Sequence, residues 1–187
     1  MIMTLKLARR LLTRQAAKMP KRTFALLVKQ KPGLNFNLVK EIFLHTPNME
    51  TFSSTLYYFS QSMAKGNKRV MGFLNRTASE KITPDAGQRQ RAINALTSFA
   101  NWGEKRAWRG LFLATRDSKA ENRWYAYGGV QRLAEDGNSQ AVEILIRGLN
   151  DPVKKNSNRA QEGLEQLSEQ GNVSAQKFLQ KQKERKR

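Results

Sequence analysis

Apolar residues recur along the second half of the chain at the spacing of one face of a helix. Counted from Ala92, apolar side chains stand at offsets of 4, 7 and 8 residues, at Leu96, Phe99 and Ala100. This spacing predicts an amphipathic α-helix. Gly103 then predicts the end of the helix, because glycine readily adopts the left-handed conformation. The period-two alternation typical of strands is missing throughout, so the sequence predicts an all-α protein.

The same pattern recurs with a period of 34 residues. Shifting the chain by this period aligns the stretches that begin at Ala92, Ala126 and Ala160. The other aligned columns are Leu96, Val130 and Leu164; Phe99, Leu133 and Leu167; Gly103, Gly137 and Gly171; Ala107, Ala141 and Ala175; and Leu111, Leu145 and Leu179. Residues 60–74 form a looser fourth copy. A helical bundle whose segments are alike by chance is the alternative.

Each copy predicts a helical hairpin, and a hairpin of this length cannot cover its own apolar stripe. Successive hairpins must therefore stack, which predicts a short right-handed α-solenoid of about three to four helical-hairpin repeats, with a basic N-terminal helix and a basic C-terminal tail. The predicted organisation is a basic amphipathic arm at 1–22, an N-terminal helical part at 23–82, helical repeats at 83–180 and a basic tail at 181–187.

Capping signals predict where several helices begin. Asn37 is a candidate N-cap, and Thr46–Pro47 and Thr83–Pro84 are typical helix starts. Ser118 and Glu121 have the spacing of a capping box. The pair Gly128–Gly129 lies inside a predicted helix, where it indicates close packing against a neighbouring helix.

The repeats resemble HEAT repeats of the phycobilisome-lyase type. The residues that carry the resemblance are Asp117 in a turn, Arg123 six residues later, and Ala126, Val130 and Leu133 on the second helix. The other copies are incomplete. Six residues after Asp151 stands Ser157 where Arg is expected, and six residues before Arg89 stands Thr83 where Asp is expected. The resemblance covers about residues 86–180 and implies that the second helices, at 84–102, 119–136 and 157–170, line a concave surface. The GN-xx-A element also fits a Sel1 or TPR-type repeat.

The charge of the chain indicates a polyanionic partner. Lys and Arg number 34 against 15 Asp and Glu, which gives a net charge of +19, while 39% hydrophobic residues indicate a globular protein. An excess of this size is typical of proteins that bind RNA, DNA or an anionic membrane surface. Residues 1–40 hold ten basic side chains and no acid, whereas residues 131–170 hold five basic and seven acidic ones.

Several kinds of chemistry are excluded by residue counts. Cysteine is absent and His45 is the single histidine, so a thiolate nucleophile, a His-based triad and a multi-His metal site are ruled out. The sequence has no GxxxxGK[ST] loop and no apolar run long enough to cross a membrane. We therefore expect no cofactor, no metal and no catalytic site.

The leading hypothesis is a non-catalytic protein that binds the phosphate backbone of nucleic acid, RNA slightly more than DNA, through a basic surface lined with aromatic residues. Cations bind phosphates by displacing counterions, and aromatic rings stack on unpaired bases. The candidate binding residues are Arg9, Arg10, Arg14, Lys18, Lys21, Arg22, Lys68, Arg69, Arg89, Arg91, Lys105, Arg106, Arg109, Arg123, Trp124 and Arg132.

Alternative interpretations stay open for several of these residues. Arg89 and Arg123 fit the repeat column that braces neighbouring turns, and Trp102, Trp108, Trp124 and Tyr125 are each expected to pack between repeats. A protein-interaction scaffold that binds its partner through the less basic rear repeats is the second hypothesis. HEAT-like DNA glycosylases of the alkylation-repair family, with Asp117 as the catalytic carboxylate, are the third. The N-terminal segment also resembles a mitochondrial targeting peptide, so the expected location is cytoplasmic or, alternatively, mitochondrial.

Overall fold

The computed structural model describes residues 36–45, 49–64 and 67–185. Within these residues every regular element is a helix, and no strand occurs. The predicted all-α class is therefore confirmed. The predicted N-terminal arm, with Arg9, Arg10, Arg14, Lys18, Lys21 and Arg22, lies outside the described residues.

The described residues divide into two compact units, with the boundary at Val70. The first unit contains α1 (Phe36–His45) and α2 (Met49–Ala64), which pack against each other. Their contact is aromatic: the Phe43 ring lies 5.6 Å from Phe52 and 5.4 Å from Phe59. The helix begins at Phe36, so Asn37 lies inside α1 and the N-cap predicted there was wrong.

The second unit, from Met71 onward, contains the predicted repeats together with most of α3. Its helices are α3 (Arg69–Thr77), α4 (Ala86–Asn101), a 3-10 turn (Lys105–Ala107), α5 (Trp108–Ala114), α6 (Ala120–Glu135), α7 (Ser139–Gly148), α8 (Lys154–Glu169) and α9 (Val173–Arg185). The three longer helices α4, α6 and α8 have 16 residues each, and their first residues stand 34 positions apart. The period read from the sequence is thus also the period of the backbone.

The longer helices stack on one another in sequence order. Helix α6 packs between α4 and α8, while α5 lies against α4 and α6, and α7 lies against α6 and α8. The apolar columns that the repeat predicted form much of the core of this unit, and each of their side chains is buried except that of Leu179, which is half-buried. The repeating columns therefore report the contacts that hold neighbouring hairpins together.

Glycines end the three longer helices in the same way. Gly103, Gly137 and Gly171 have φ angles of 81°, 86° and 87°, the left-handed conformation that the sequence predicted. A different glycine allows close helix packing: a Cβ on Gly129 would lie 2.8 Å from the Leu111 methyl carbons and 2.7 Å from Thr97 Oγ1. Both predicted uses of glycine are confirmed.

The predicted helix starts were less accurate. Helix α4 begins at Ala86, and its N-cap is Asp85, whose carboxylate accepts from the Gln88 N–H at 2.8 Å. The capping box at Ser118 does not form, because the N-cap of α6 is Lys119 and the Ser118 hydroxyl instead donates to Glu80.

Candidate nucleic-acid interface

Arg89 and Asp117 form a buried ion pair between the starts of two neighbouring hairpins. Arg89 Nε donates to Asp117 Oδ2 at 2.6 Å and Nη2 donates to Oδ1 at 2.9 Å. The remaining nitrogen, Nη1, donates to the carbonyls of Thr83 and Pro84 at 3.0 and 2.7 Å. With only 1% of Arg89 exposed, all the guanidinium nitrogens are bonded inside the protein.

The same arrangement recurs one repeat later. Arg123 donates to Asp151 at 2.7 and 2.9 Å and to the Asp117 carbonyl at 2.8 Å. Asn122 and Asn156 add an equivalent bond in each copy, to Asp117 at 3.1 Å and to Asp151 at 3.3 Å. We call these six residues, Arg89, Asp117, Asn122, Arg123, Asp151 and Asn156, the Arg–Asp ladder.

The ladder keeps its carboxylates ionised. Burial acts to raise the pKa of Asp117, but the hydrogen bonds from Arg89, the Lys119 N–H and Asn122 outweigh it and hold that pKa below its ordinary value. For Asp151 the balance of burial and the bonds from Arg123 gives a pKa of about 2. Burial and the neighbouring Asp151 charge raise the pKa of Tyr127, which donates to Asp151 Oδ2 at 3.2 Å, to about 12. The ladder is thus charged and fully paired at neutral pH.

The ladder changes the interpretation of three residues singled out from the sequence. Arg89 has no exposed nitrogen with which to contact phosphate, and the Arg123 side chain is only 12% exposed. Both match the alternative in which these arginines brace neighbouring turns. Asp117 is 3% exposed and both of its oxygens accept hydrogen bonds, so this carboxylate lacks the open access that a catalytic residue in a glycosylase needs.

The opposite ends of the hairpins carry exposed charges. We define the Trp turn as residues 102–109, which follow α4 and include the first two residues of α5. Trp102 is 61% exposed and Trp108 is 41% exposed, which contradicts the expectation that they pack between repeats. Lys105 and Arg109 are exposed and form no ion pair or side-chain hydrogen bond within the described part of the chain. Arg106, also predicted as a binding residue, pairs with Glu104 at 2.6 Å.

Each exposed tryptophan makes one aromatic contact. The Trp102 ring lies 5.3 Å from Phe99, and the Trp108 ring lies 5.3 Å from Phe112. These contacts hold the two indole rings on the surface of their own hairpin. The Trp turn therefore combines fixed, accessible rings with the predicted cations Lys105, Arg106 and Arg109.

The Trp turn has counterparts in the next two repeats, at residues 136–143 and 170–177. The Trp turn holds three cations and one acid, a charge of +2. Residues 136–143 hold only Asp136 and Glu143, a charge of −2, and residues 170–177 hold only Lys177, a charge of +1. The positions of Trp102 and Trp108 are occupied by Asp136 and Val142 and then by Gln170 and Gln176. The tryptophans are therefore not part of the repeat pattern.

A second group of cations lies near the first turns of α6 and α8. Lys155 Nζ is 5.0 Å and the Arg159 guanidinium carbon is 5.5 Å from the centre of the Trp124 ring, which places both cations over an aromatic residue. A Cβ on Gly128 would lie 3.1 Å from Arg159 Nη2, so this glycine leaves room for the arginine. Trp124 was predicted, whereas Lys155 and Arg159 were not; shifting the sequence by two repeats places Arg159 in the column of Arg91.

The remaining predicted cations differ in their exposure and in their ion pairs. Arg132 pairs with Glu135 at 2.8 Å and with Asp136 at 3.6 Å, so neighbouring acids offset its charge. Arg91 is half-buried on α4, and Lys68 and Arg69 are exposed in the first unit. Within the second unit, the structure thus brings Lys105, Arg106 and Arg109 together in the Trp turn, whereas Arg89, Arg123 and Arg132 are paired with acids elsewhere in that unit.

Two adjoining cavities share Arg116, Ile144 and Arg147: one of about 270 Å³ lies between α5 and α7, and one of about 250 Å³ lies beside the Arg–Asp ladder, where Arg123 and Asp151 line it. Leu113, on the rim, is 45% exposed. Arg116 forms no ion pair within the described residues, and Arg147 approaches Glu143 only to 3.6 Å between two exposed side chains. This groove combines apolar and cationic groups and was not predicted from the sequence.

Neither a metal site nor a membrane span is found in the part of the chain that the structure describes. Among those residues no three or more His, Asp or Glu side chains gather as metal ligands would, and none of the helices is sufficiently long and apolar to cross a bilayer. The sequence matches no protein-family model and shows no significant similarity to a curated protein.

Proposed function

We propose that this protein is a non-catalytic α-solenoid that binds the phosphate backbone of nucleic acid, RNA slightly more than DNA. The observation that carries the proposal is the Trp turn, where Lys105 and Arg109, which form no ion pair within the described residues, alternate along the chain with two exposed indole rings. The corresponding turn at 136–143 has the opposite charge. Because neighbouring repeats do not require cations here, the charge of the Trp turn points to a ligand.

The distribution of paired and unpaired charges supports the same proposal. Many acids of the second unit are already used within the protein: Asp117 and Asp151 in the ladder, Glu104 with Arg106, and Glu135 with Arg132. The excess cations therefore remain to interact with solvent or a ligand. Phosphate backbones bind such surfaces strongly, since each neutralised phosphate releases a condensed counterion.

The proposed architecture is a HEAT-like solenoid, supported by the 34-residue recurrence of α4, α6 and α8. Parallel stacking of the longer helices is supported by bonds between their first turns, from Asn122 to the Ala86 carbonyl and from Asn156 to the Ala120 carbonyl. Such a stack presents its turns in rows, which suits an extended ligand. The proposed location is the cytoplasm, or the mitochondrion if the N-terminal segment acts as a targeting signal.

The test is a binding titration of the full chain against single-stranded RNA, duplex RNA and duplex DNA at several salt concentrations. We expect log affinity to fall steeply with log salt, and Lys105→Glu/Arg109→Glu to weaken binding at least tenfold and to flatten the slope by about 1.5. The matched control is Lys177→Glu/Lys181→Glu on α9, which changes the net charge equally. Equal losses in both variants, or no binding to any of the three ligands, would contradict the proposal.

A protein-interaction scaffold is the second candidate, favoured by the groove between α5 and α7. Its exposed Leu113 and its two arginines, Arg116 and Arg147, suit an acidic peptide segment with apolar side chains. A labelled glutamate–leucine peptide should bind the wild-type chain and lose affinity about tenfold with Arg116→Glu/Arg147→Glu. Unchanged binding in that variant would remove this candidate.

A further inference from the structure

The tryptophans of the Trp turn are not needed to form the turn. Trp102 stands at the end of α4 with φ −92° and ψ 11°, and Asp136 and Gln170 occupy the equivalent positions at φ −78°, ψ 10° and φ −77°, ψ 3°. Three different side chains thus accompany nearly the same backbone. The Trp102 indole is 61% exposed, so it is not required for the conformation of the turn and is not part of the hydrophobic core.

The Trp turn is also held in place before any ligand binds. Gly103 reverses the chain, and the Glu104 N–H donates to the Phe99 carbonyl at 2.9 Å. From the neighbouring α3, the Asn75 side chain donates to the Arg106 carbonyl at 3.2 Å and accepts from the Gly110 N–H at 2.7 Å. Both ends of the turn are therefore tied to regular helices, and little backbone conformational entropy is lost when the turn binds a ligand.

The order of groups along the Trp turn alternates rings and charges. Trp102 and Trp108 stand at its two sides, and Lys105 and Arg106 lie between them, followed by Arg109. Exposed aromatic rings interleaved with cations match a strand whose bases are unpaired, because rings stack on bases while cations contact the phosphates between them. A duplex offers its phosphates to the cations but keeps its base faces covered by neighbouring base pairs.

We infer that Trp102 and Trp108 stack on unpaired bases, so that the ligand of the Trp turn is a single-stranded segment of nucleic acid. This inference rests on the proposed function and adds the form of nucleic acid that is bound. The cations supply affinity for any phosphate backbone, and the two rings supply the preference for single strands. The base-stacking chemistry is the same for RNA and DNA.

The experiment uses the full chain and a variant made of residues that the protein's own third repeat carries, Trp102→Gln/Trp108→Gln. Binding is measured by fluorescence anisotropy with single-stranded RNA, single-stranded DNA and duplex RNA of equal length. We expect the wild type to prefer single strands and the variant to lose about ten- to hundredfold in affinity for them. Duplex affinity should stay within about threefold, since phosphate contacts are unchanged.

Tyr57→Gln is the matched control, because it removes an exposed aromatic ring on α2, outside the Trp turn, and should leave the single-strand preference intact. Circular dichroism establishes that each variant is folded. The inference is overturned, while the proposed function stands, if the wild type binds single-stranded and duplex nucleic acid equally. The same holds if the double variant loses affinity equally for all three ligands. Absence of binding to every ligand would overturn both. Comparing the two single-stranded arms then shows whether the ribose hydroxyl contributes.

Discussion

The two ends of the stacked hairpins differ in how they use charge. At the first turns of α4, α6 and α8, the Arg–Asp ladder repeats both backbone and side chains, and its charges are buried and paired. At the other end, the Trp turn and residues 136–143 share a left-handed glycine and a buried alanine, but the exposed charges change sign from one repeat to the next. Side chains that recur every 34 residues stabilise the stacking of the hairpins. Side chains that differ between repeats are not required for stacking and are available to bind a ligand.

The comparison is sharpest for arginine, which occurs at both ends. Arg89 is buried against Asp117, while Arg109 is exposed and forms no ion pair within the described residues. Breaking a buried pair leaves an uncompensated charge in a low-dielectric interior, but removing an exposed cation does not. The same residue type should therefore matter for stability at one end and for binding at the other.

The largest expected effect is that of Arg89→Ala. This change leaves the Asp117 carboxylate buried without its partner, and we expect it to lower the free energy of unfolding by about 3–5 kcal/mol. Arg109→Ala is the control and should change stability by less than about 0.5 kcal/mol. Urea unfolding followed by circular dichroism measures both, and similar losses in the two variants would show that the two ends do not differ as described.

The next largest effect is the loss of folding stability at low pH. The pKa of Asp151 is about 2 in the folded protein against an ordinary value of 3.8. Since the folded pKa is the lower one, the stabilisation of about 2 kcal/mol is complete above pH 4 and is lost as the pH falls from about 4 to 2. Asp151→Asn should be less stable at neutral pH and should show a shallower loss of stability in this range. An unchanged acid profile in this variant would contradict the ladder's charge state.

A smaller effect tests the backbone that the turns share. At Gly103 and Gly137 an added Cβ would meet no atom within 4 Å, so Gly→Ala costs only the left-handed conformation, about 1 kcal/mol. Thermal unfolding of Gly103→Ala and Gly137→Ala should give equal losses. A clearly larger loss at one site would mean that the two turns are not equivalent. Ser139→Ala, at an exposed position of the first turn of α7, serves as the control.

The smallest effect is that of Trp102→Gln on stability. The ring loses its contact with Phe99 but is already largely exposed, and Gln170 occupies the equivalent position in the third repeat. We expect the free energy of unfolding to change by less than about 1 kcal/mol. A loss above about 2 kcal/mol in urea unfolding would indicate that Trp102 belongs to the core, against its assignment to a ligand.

The sequence was informative where a feature repeats and much less so where it does not. The apolar columns and the left-handed glycines follow from helical periodicity and backbone conformation, which are local properties. The pairing of Arg89 with Asp117 joins residues on different hairpins, so it depends on how these stack. The contact of Lys155 and Arg159 with Trp124 likewise requires α6 and α8 to lie side by side. The exposure of Trp102 was mispredicted, since aromatic residues are usually buried.

The capping prediction at Ser118 failed for a related reason. A capping box considers only neighbours in sequence, whereas Asp117 accepts from the Lys119 N–H at 2.8 Å while it is also held by Arg89 from another hairpin. The Ser118 hydroxyl is then available to Glu80, which lies 38 residues earlier. Tertiary partners thus decided between two local arrangements that the sequence alone leaves nearly equal.

The Arg–Asp ladder has two rungs and ends at Ser157, the position where the next arginine would stand. Helix α6 contributes Asn122 to the rung at Asp117 and Arg123 to the rung at Asp151, so it is bonded to both neighbouring hairpins. Helix α9 contributes to neither rung, and Ala175 is its one fully buried residue. Opening should accordingly start at α9 and reach α6 last, an order that the exchange of backbone amide hydrogens would reveal.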